Sequence, residues 1–172
     1  MSDYIYSPTI QHAAEDRTTY RLVTTDGVRT ESFNGKELIV IEPDALERLA
    51  YEAFRDVSFY LRPAHSAQVA AILDDPEASE NDRFVARCML ENAVISAIGE
   101  LPFCQDTGTA MVVGKKGAQV WTEFDEKKAL SNGIYRCFQD FNLRYSQIAP
   151  LSMFEEQNTG NNLPAQIDLY AD

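Results

Sequence analysis

Pro43-Asp44-Ala45-Leu46-Glu47-Arg48-Leu49-Ala50-Tyr51-Glu52-Ala53-Phe54-Arg55-Asp56-Val57-Ser58-Phe59-Tyr60-Leu61-Arg62-Pro63 is the stretch that decides the fold class. Leu46, Leu49, Ala50, Ala53, Phe54, Val57 and Leu61 recur at three- and four-residue steps, which places them on one face of a helix. Pro43 suits the first helical position, where a missing N–H costs nothing, and Pro63 ends the helix. On the N-terminal side the period changes to that of strands. Tyr20–Thr24 and Val28–Phe33 are β-prone runs flanking Thr25-Asp26-Gly27, so a hairpin is expected there.

On the C-terminal side, Ser66–Leu73 predicts a short helix stopped by Asp74-Asp75-Pro76. Ser79-x-x-Asp82 has the form of a capping box. It opens a third helix whose expected apolar stripe holds Phe84, Val85, Cys88, Val94, Ile95 and Ile98, with Gly99 as terminator. A fourth helix is expected over 125–141, with Leu130, Ile134, Cys137, Phe138 and Phe141 on one stripe. Gly133 inside it costs roughly 1 kcal/mol against alanine. Thr109–Val113 and Gln119–Thr122, joined by Gly114-Lys115-Lys116-Gly117, suggest a second hairpin, with Trp121 as a packed aromatic. The expectation is one α+β domain: helix-rich, with β-hairpins contributing to a small mixed sheet. No internal repeat or linker interrupts it.

The composition fits a globular domain, with 45% hydrophobic and 24% charged residues. A formal net charge of −12 disfavours nucleic acid, because there is no basic stripe to neutralise phosphates. It also requires that a small anionic substrate be met by a local positive group. No apolar run is long enough to span a membrane, and Met1–Ile10 lacks the pattern of a secretory leader. Three cysteines, Cys88, Cys104 and Cys137, are too widely and irregularly spaced for a disulfide framework. A cytoplasmic location is expected. The strand-like content of 163–172 runs up to the last residue, and the expectation is a domain interrupted before a C-terminal partner.

Cys104 has a different setting from the other two thiols. Cys88 and Cys137 fall on helix stripes, where cysteine behaves as a small hydrophobe. Cys104 lies in Leu101-Pro102-Phe103-Cys104-Gln105-Asp106-Thr107-Gly108-Thr109, between a helix-ending glycine and a strand. Such a loop can present a side chain to a ligand, with an amide, a carboxylate and a hydroxyl beside it. A thiolate metal ligand, a nucleophile and a plain polar turn all remain open on these residues. A nucleophile needs a base, and the only histidines are His12 and His65; His65, close to a helix boundary, is expected at the surface.

Leu101–Ala110, followed by Val113-Gly114-Lys115-Lys116-Gly117 and Val120-Trp121, resembles the signature region of class I fumarases. Asn142-Leu143-Arg144-Tyr145-Ser146-Gln147 and Asn158-Thr159-Gly160-x-Asn162-Leu163-Pro164-Ala165-Gln166-Ile167-Asp168 are similar to the same family in the same order. Tyr20-Arg21-Leu22, Phe33-Asn34-Gly35-Lys36-Glu37, Leu61-Arg62-Pro63-Ala64-His65 and Asp75–Asp82 extend the likeness to its single-chain bacterial form. Several collinear blocks are far more specific than one short motif.

The resemblance implies an oxygen-sensitive hydro-lyase interconverting fumarate and (S)-malate. Residues 1–172 would be its N-terminal domain, and the functional partners would be a C-terminal domain of the same chain and a second copy in a homodimer. It implies a 4Fe-4S cluster whose open iron acts as a Lewis acid. Cys104 would be one of three thiolate ligands. Gln105 and Asp106 would face the substrate, Asp106 also assisting proton transfer, and Arg144 would clamp a substrate carboxylate through its planar fork. The other ligand cysteines and acid/base groups are expected beyond residue 172, so the chain alone is expected to be inactive. Rival readings are a tartrate or mesaconate dehydratase-type relative and a stand-alone, non-catalytic domain.

Overall fold

The computed structural model describes residue 5 and residues 19–104 and 108–171. β1 (Val28–Phe33) and β2 (Lys36–Ile41) form an antiparallel hairpin. α1 (Pro43–Phe59) and α2 (Pro63–Ala71) follow, then a 3₁₀ turn over Ile72–Asp74 and α3 (Glu80–Ser96). β3 (Met111–Lys116), β4 (Val120–Trp121), α4 (Glu126–Asp140), β5 (Ile148–Pro150), β6 (Glu156–Asn158) and β7 (Gln166–Ala171) complete the order. The α+β expectation holds.

Pro43 opens α1 where the sequence placed its signal, whereas Pro63, expected only to end that helix, opens α2 three residues ahead of the expected start at Ser66. Ser79 and Asp82 make a reciprocal capping box: the Ser79 hydroxyl accepts the Asp82 N–H at 3.1 Å, and an Asp82 oxygen accepts the Ser79 N–H at 2.9 Å. The Ser79 hydroxyl, donating to the Asp82 carboxylate at 2.7 Å, and the Ser79 N–H together hold that carboxyl below the usual carboxylate range. Asp125 caps α4 by accepting the Lys128 N–H at 3.1 Å. Gly99, at φ +88°, closes the turn after α3.

α4 lies against α1, and their contact forms the core. Ile134 and Cys137 are completely buried, with Leu130, Phe138, Ala50 and Phe59 around them. Gly133 makes this approach possible, since a Cβ there would collide with the Glu47 carbonyl oxygen and lie 2.9 Å from the Ala50 Cβ. Its helix-propensity cost is therefore offset by close packing, which no larger residue permits.

Both hairpin expectations need correction. Tyr20–Thr24 forms no strand; the partner of β1 is β2, and the connection is Asn34-Gly35, both at positive φ (50° and 75°). That pair gives the backbone twist a two-residue hairpin demands. Asp26-Gly27 only turns the chain into β1. The second hairpin does not exist either. β3 pairs in parallel with β7, from Met111↔Gln166 to Lys116↔Ala171. β4 instead adds to β2 in parallel, giving the order β1-β2-β4. β5 and β6 form a separate antiparallel pair.

Three burial expectations also change. On α1 the buried set is Ala45, Ala50, Ser58 and Phe59, while Leu49, Ala53 and Val57 face outward. On α3 only Ala86 and Ser96 are buried; Phe84, Val85, Cys88, Val94, Ile95 and Ile98 are exposed. Trp121 is half exposed rather than packed, its Nε1–H donating to Glu123 at 3.1 Å.

Candidate functional site

Leu101–Cys104 leaves the end of α3 and is pinned to two helices. The Phe103 N–H donates to the Ser58 carbonyl in the last turn of α1 at 3.1 Å. The Cys104 N–H donates to Asn92 Oδ1 on α3 at 2.8 Å. The two helices are themselves tied together, because the fully buried Ser96 hydroxyl donates to the Phe59 carbonyl at 3.0 Å. The loop carrying Cys104 thus begins on a rigid frame.

Arg144 reaches the same place from the other end of α4. Asn142 adopts φ +49°, and the Leu143 N–H donates back to the Phe138 carbonyl at 3.0 Å. Leu143 is buried and Arg144, its neighbour, is exposed. Cys104 and Arg144 line one cavity of about 250 Å³ together with Ser58, Pro102, Phe103, Phe138 and Leu143. No ion pair to Arg144 is seen among the described residues. In a chain of formal net charge −12, its guanidinium supplies the local positive charge that an anionic ligand requires. Cys104 also lines a larger apolar cavity of about 490 Å³ with His65, Cys88 and Asn92. The thiol stands in the wall between the two.

Asn162 is a residue whose role the sequence reading missed. Its side chain is almost completely buried, and its Oδ1 accepts the Ser146 and Gln147 N–H groups at 2.9 and 3.0 Å. Its Nδ2 donates to the Gly108 carbonyl at 3.4 Å. One amide therefore links the strand after Arg144 to the far end of the Cys104 loop. Asn158 adds a bond from its Nδ2 to the Tyr145 carbonyl at 2.8 Å. The Asn158–Asn162 block was visible as a family resemblance, but nothing in its spacing revealed two side-chain anchors, of which Asn162 is buried and Asn158 exposed.

Gln105 and Asp106 lie outside the described residues, as does His12. His65 is exposed, as expected. The remaining thiols are unlike one another. Burial pushes the Cys137 thiol up to about 12, so it stays neutral within the α1–α4 core. Cys88 is exposed on α3 rather than buried, because its helix turns small residues inward.

Residues 47–172 match the family model described as fumarate hydratase (Fumerase). The chain belongs to that family. It is 57% identical over 157 residues to the class I, anaerobic fumarate hydratase of Escherichia coli K12, covering 91% of this chain and 29% of that protein. The aerobic class I enzyme of the same organism gives the same identity and coverage. The mitochondrial fumarate hydratase 1 of Leishmania major is 46% identical over 173 residues, 99% of this chain and 32% of its own length. The chain spans about a third of the length of the curated relatives it matches.

The iron–sulfur cluster that the sequence resemblance implies would set a demand on the donor set. A cubane cluster is held by several thiolates converging on one point. Among the described residues no three His, Cys, Asp or Glu side chains are grouped to hold a metal ion. Cys137 is locked in the core, and its protonated state is the wrong one for a ligand. The described residues of this fumarate hydratase family member offer Cys104 as a single exposed thiol beside Arg144, and do not by themselves form a cluster site. Nor is any helix among them long and apolar enough to cross a membrane.

Proposed function

We propose that residues 1–172 are the N-terminal domain of a class I fumarate hydratase that interconverts fumarate and (S)-malate in the cytoplasm. The observation that carries this reading is the shared cavity of Cys104 and Arg144, in a chain of this family. The two residues come from segments 40 positions apart in the sequence, and separate anchors hold them on one opening.

In this reading Arg144 binds a substrate carboxylate. Its fork can form two parallel charge-assisted hydrogen bonds, which fix the orientation of a planar diacid as well as its charge. Cys104 is the one thiolate donor this domain contributes to an iron–sulfur cluster. Gln105 and Asp106, adjacent in sequence, would be carried to the substrate by the same loop, Asp106 as a hydrogen-bonding and proton-handling carboxylate. The further thiolates and the other acid/base group are proposed to lie outside residues 1–172. The domain alone should then neither hold a stable cluster nor turn over substrate. A second copy of the full-length chain completes a homodimer.

The test is anaerobic reconstitution of the full-length protein with iron and sulfide, followed by cluster content and fumarate hydration. Cys104→Ser should lose both, while Cys88→Ala and Cys137→Ala retain cluster. Arg144→Lys should keep the cluster and lower kcat/KM for malate about tenfold or more, because an ammonium cannot reproduce the paired hydrogen bonds. Full cluster content in Cys104→Ser would overturn the ligand assignment, and an unchanged kcat/KM in Arg144→Lys would remove Arg144 from the substrate.

A further inference from the structure

Asn92 occupies an unusual place for a polar residue inside a helix. It sits in the last third of α3, one turn beyond Cys88, and helps line the apolar cavity of about 490 Å³. Its oxygen does not turn back to its own helix, as short polar side chains there often do. It reaches the Cys104 N–H at 2.8 Å. The preceding amide, Phe103 N–H, is taken by Ser58 on a different helix. Consecutive backbone amides are thus held by α1 and α3, and two fixed points on adjacent peptides leave Phe103 little rotational freedom and so fix where the Cys104 Cα stands.

The consequence lies in where the thiol can stand. Cys104 is in the wall shared by the cavity of Arg144 and the apolar cavity of Cys88. A 103–104 peptide free to rotate would carry the Cys104 Cα, and its side chain, toward either one. We propose that Asn92 is a positioning residue for Cys104, holding the peptide so that the thiol stays available at the Arg144 side. The group that does this is a hydrogen-bond acceptor, so a carboxylate at position 92 should replace it and an isosteric hydrocarbon should not. The functional weight of this inference rests on the proposed ligand role of Cys104; the hold on its amide does not.

The experiment compares Asn92→Leu and Asn92→Asp in the full chain under reducing conditions. Hydrogen exchange at the Cys104 amide and the rate of iodoacetamide labelling at each cysteine are followed by mass spectrometry. In Asn92→Leu both should rise about fivefold or more at Cys104, the population change expected for one lost net hydrogen bond. Labelling at Cys88 and Cys137 should not change, and Asn92→Asp should keep Cys104 at or below the original rates. Unchanged exchange at Cys104 in Asn92→Leu would overturn the inference. So would a parallel rise at all three thiols, or unfolding of both variants, since Asn92 would then support the fold at large. A third arm, Cys104→Ser with cluster content as readout, separates the two ideas. Retained cluster there refutes the ligand role while leaving the exchange result standing.

Discussion

α3 and α4 are helices of 17 and 15 residues; α3 is the richer in apolar side chains, yet it is α4 that is buried. α4 buries Ala129, Leu130, Gly133, Ile134, Cys137 and Phe138 against α1. α3 buries only Ala86 and Ser96, and leaves Phe84 at 63% and Val94 at 70% exposure. The difference teaches that a 3.6-residue period identifies a helix but does not say which face meets the core. On α4 the large residues and the one glycine agree on a face. On α3 the two small residues share the inward face, and Ser96 spends its hydroxyl on fastening α1. The quiet thiol, Cys137, belongs to α4; part of the frame for Cys104, an exposed thiol, belongs to α3.

The sharpest way to break this contrast is at Gly133. A methyl group there has no free volume, because the Glu47 carbonyl oxygen and the Ala50 Cβ already occupy the space. Helix propensity alone would make Gly133→Ala stabilising by roughly 1 kcal/mol. The packing reading predicts the opposite sign, a loss of about 3 kcal/mol from overpacking. Urea unfolding of the variant decides it, and a stability gain would mean that α1 and α4 lie further apart than described here.

A smaller effect is expected where β3 meets α4. The Lys116 ammonium and the Thr122 hydroxyl both donate to the Glu126 carboxylate, and Lys116 at 2.6 Å is the main cause of its lowered pKa. A carboxyl whose pKa is lower folded than unfolded stabilises the fold above the ordinary glutamate range, and that contribution disappears as pH falls through the lowered value. Glu126→Gln should therefore cost about 1 kcal/mol at pH 7. As pH falls through that lowered value the two proteins should converge in stability. Denaturation series at pH 7, 5 and 3 measure this, and a difference constant with pH would show that charge is not the source.

How much was legible beforehand follows the range of each interaction. The capping box at Ser79 and the proline start at Pro43 are local, and both were read correctly, whereas Pro63, read only as a terminator, opens α2. Strand pairing was not. β3 reaches β7 and β4 reaches β2 across long stretches of chain, so a nearby glycine turn wrongly suggested a hairpin. For β1, Asn34-Gly35 was the stronger turn signal and stood in plain view. At the site, Cys104 was separated from the other thiols by its loop setting, and the structure places Arg144 beside it. Asn92 and Asn162 were invisible, since an asparagine that bonds a distant backbone amide leaves no periodic trace.

The smallest effect concerns the outward face of α3 itself. Val94 is 70% exposed, so its side chain gives up little contact with water on folding, and little is lost when it is shortened. Valine and serine also have similar intrinsic helix preferences, so Val94→Ser should change the backbone term by only a few tenths of a kcal/mol. The expected change in unfolding free energy is within about 0.5 kcal/mol, the usual range for surface sites without a cap, buried hydrogen bond or special backbone conformation. The same measurement on Ile134→Ala, in the fully buried stripe of α4, should give about 2–5 kcal/mol. Urea unfolding at two protein concentrations makes the pair a direct test of the contrast between the helices. A loss above about 1 kcal/mol for Val94→Ser, independent of concentration, would place Val94 among the residues that hold the core together and would reverse the assignment of faces on α3.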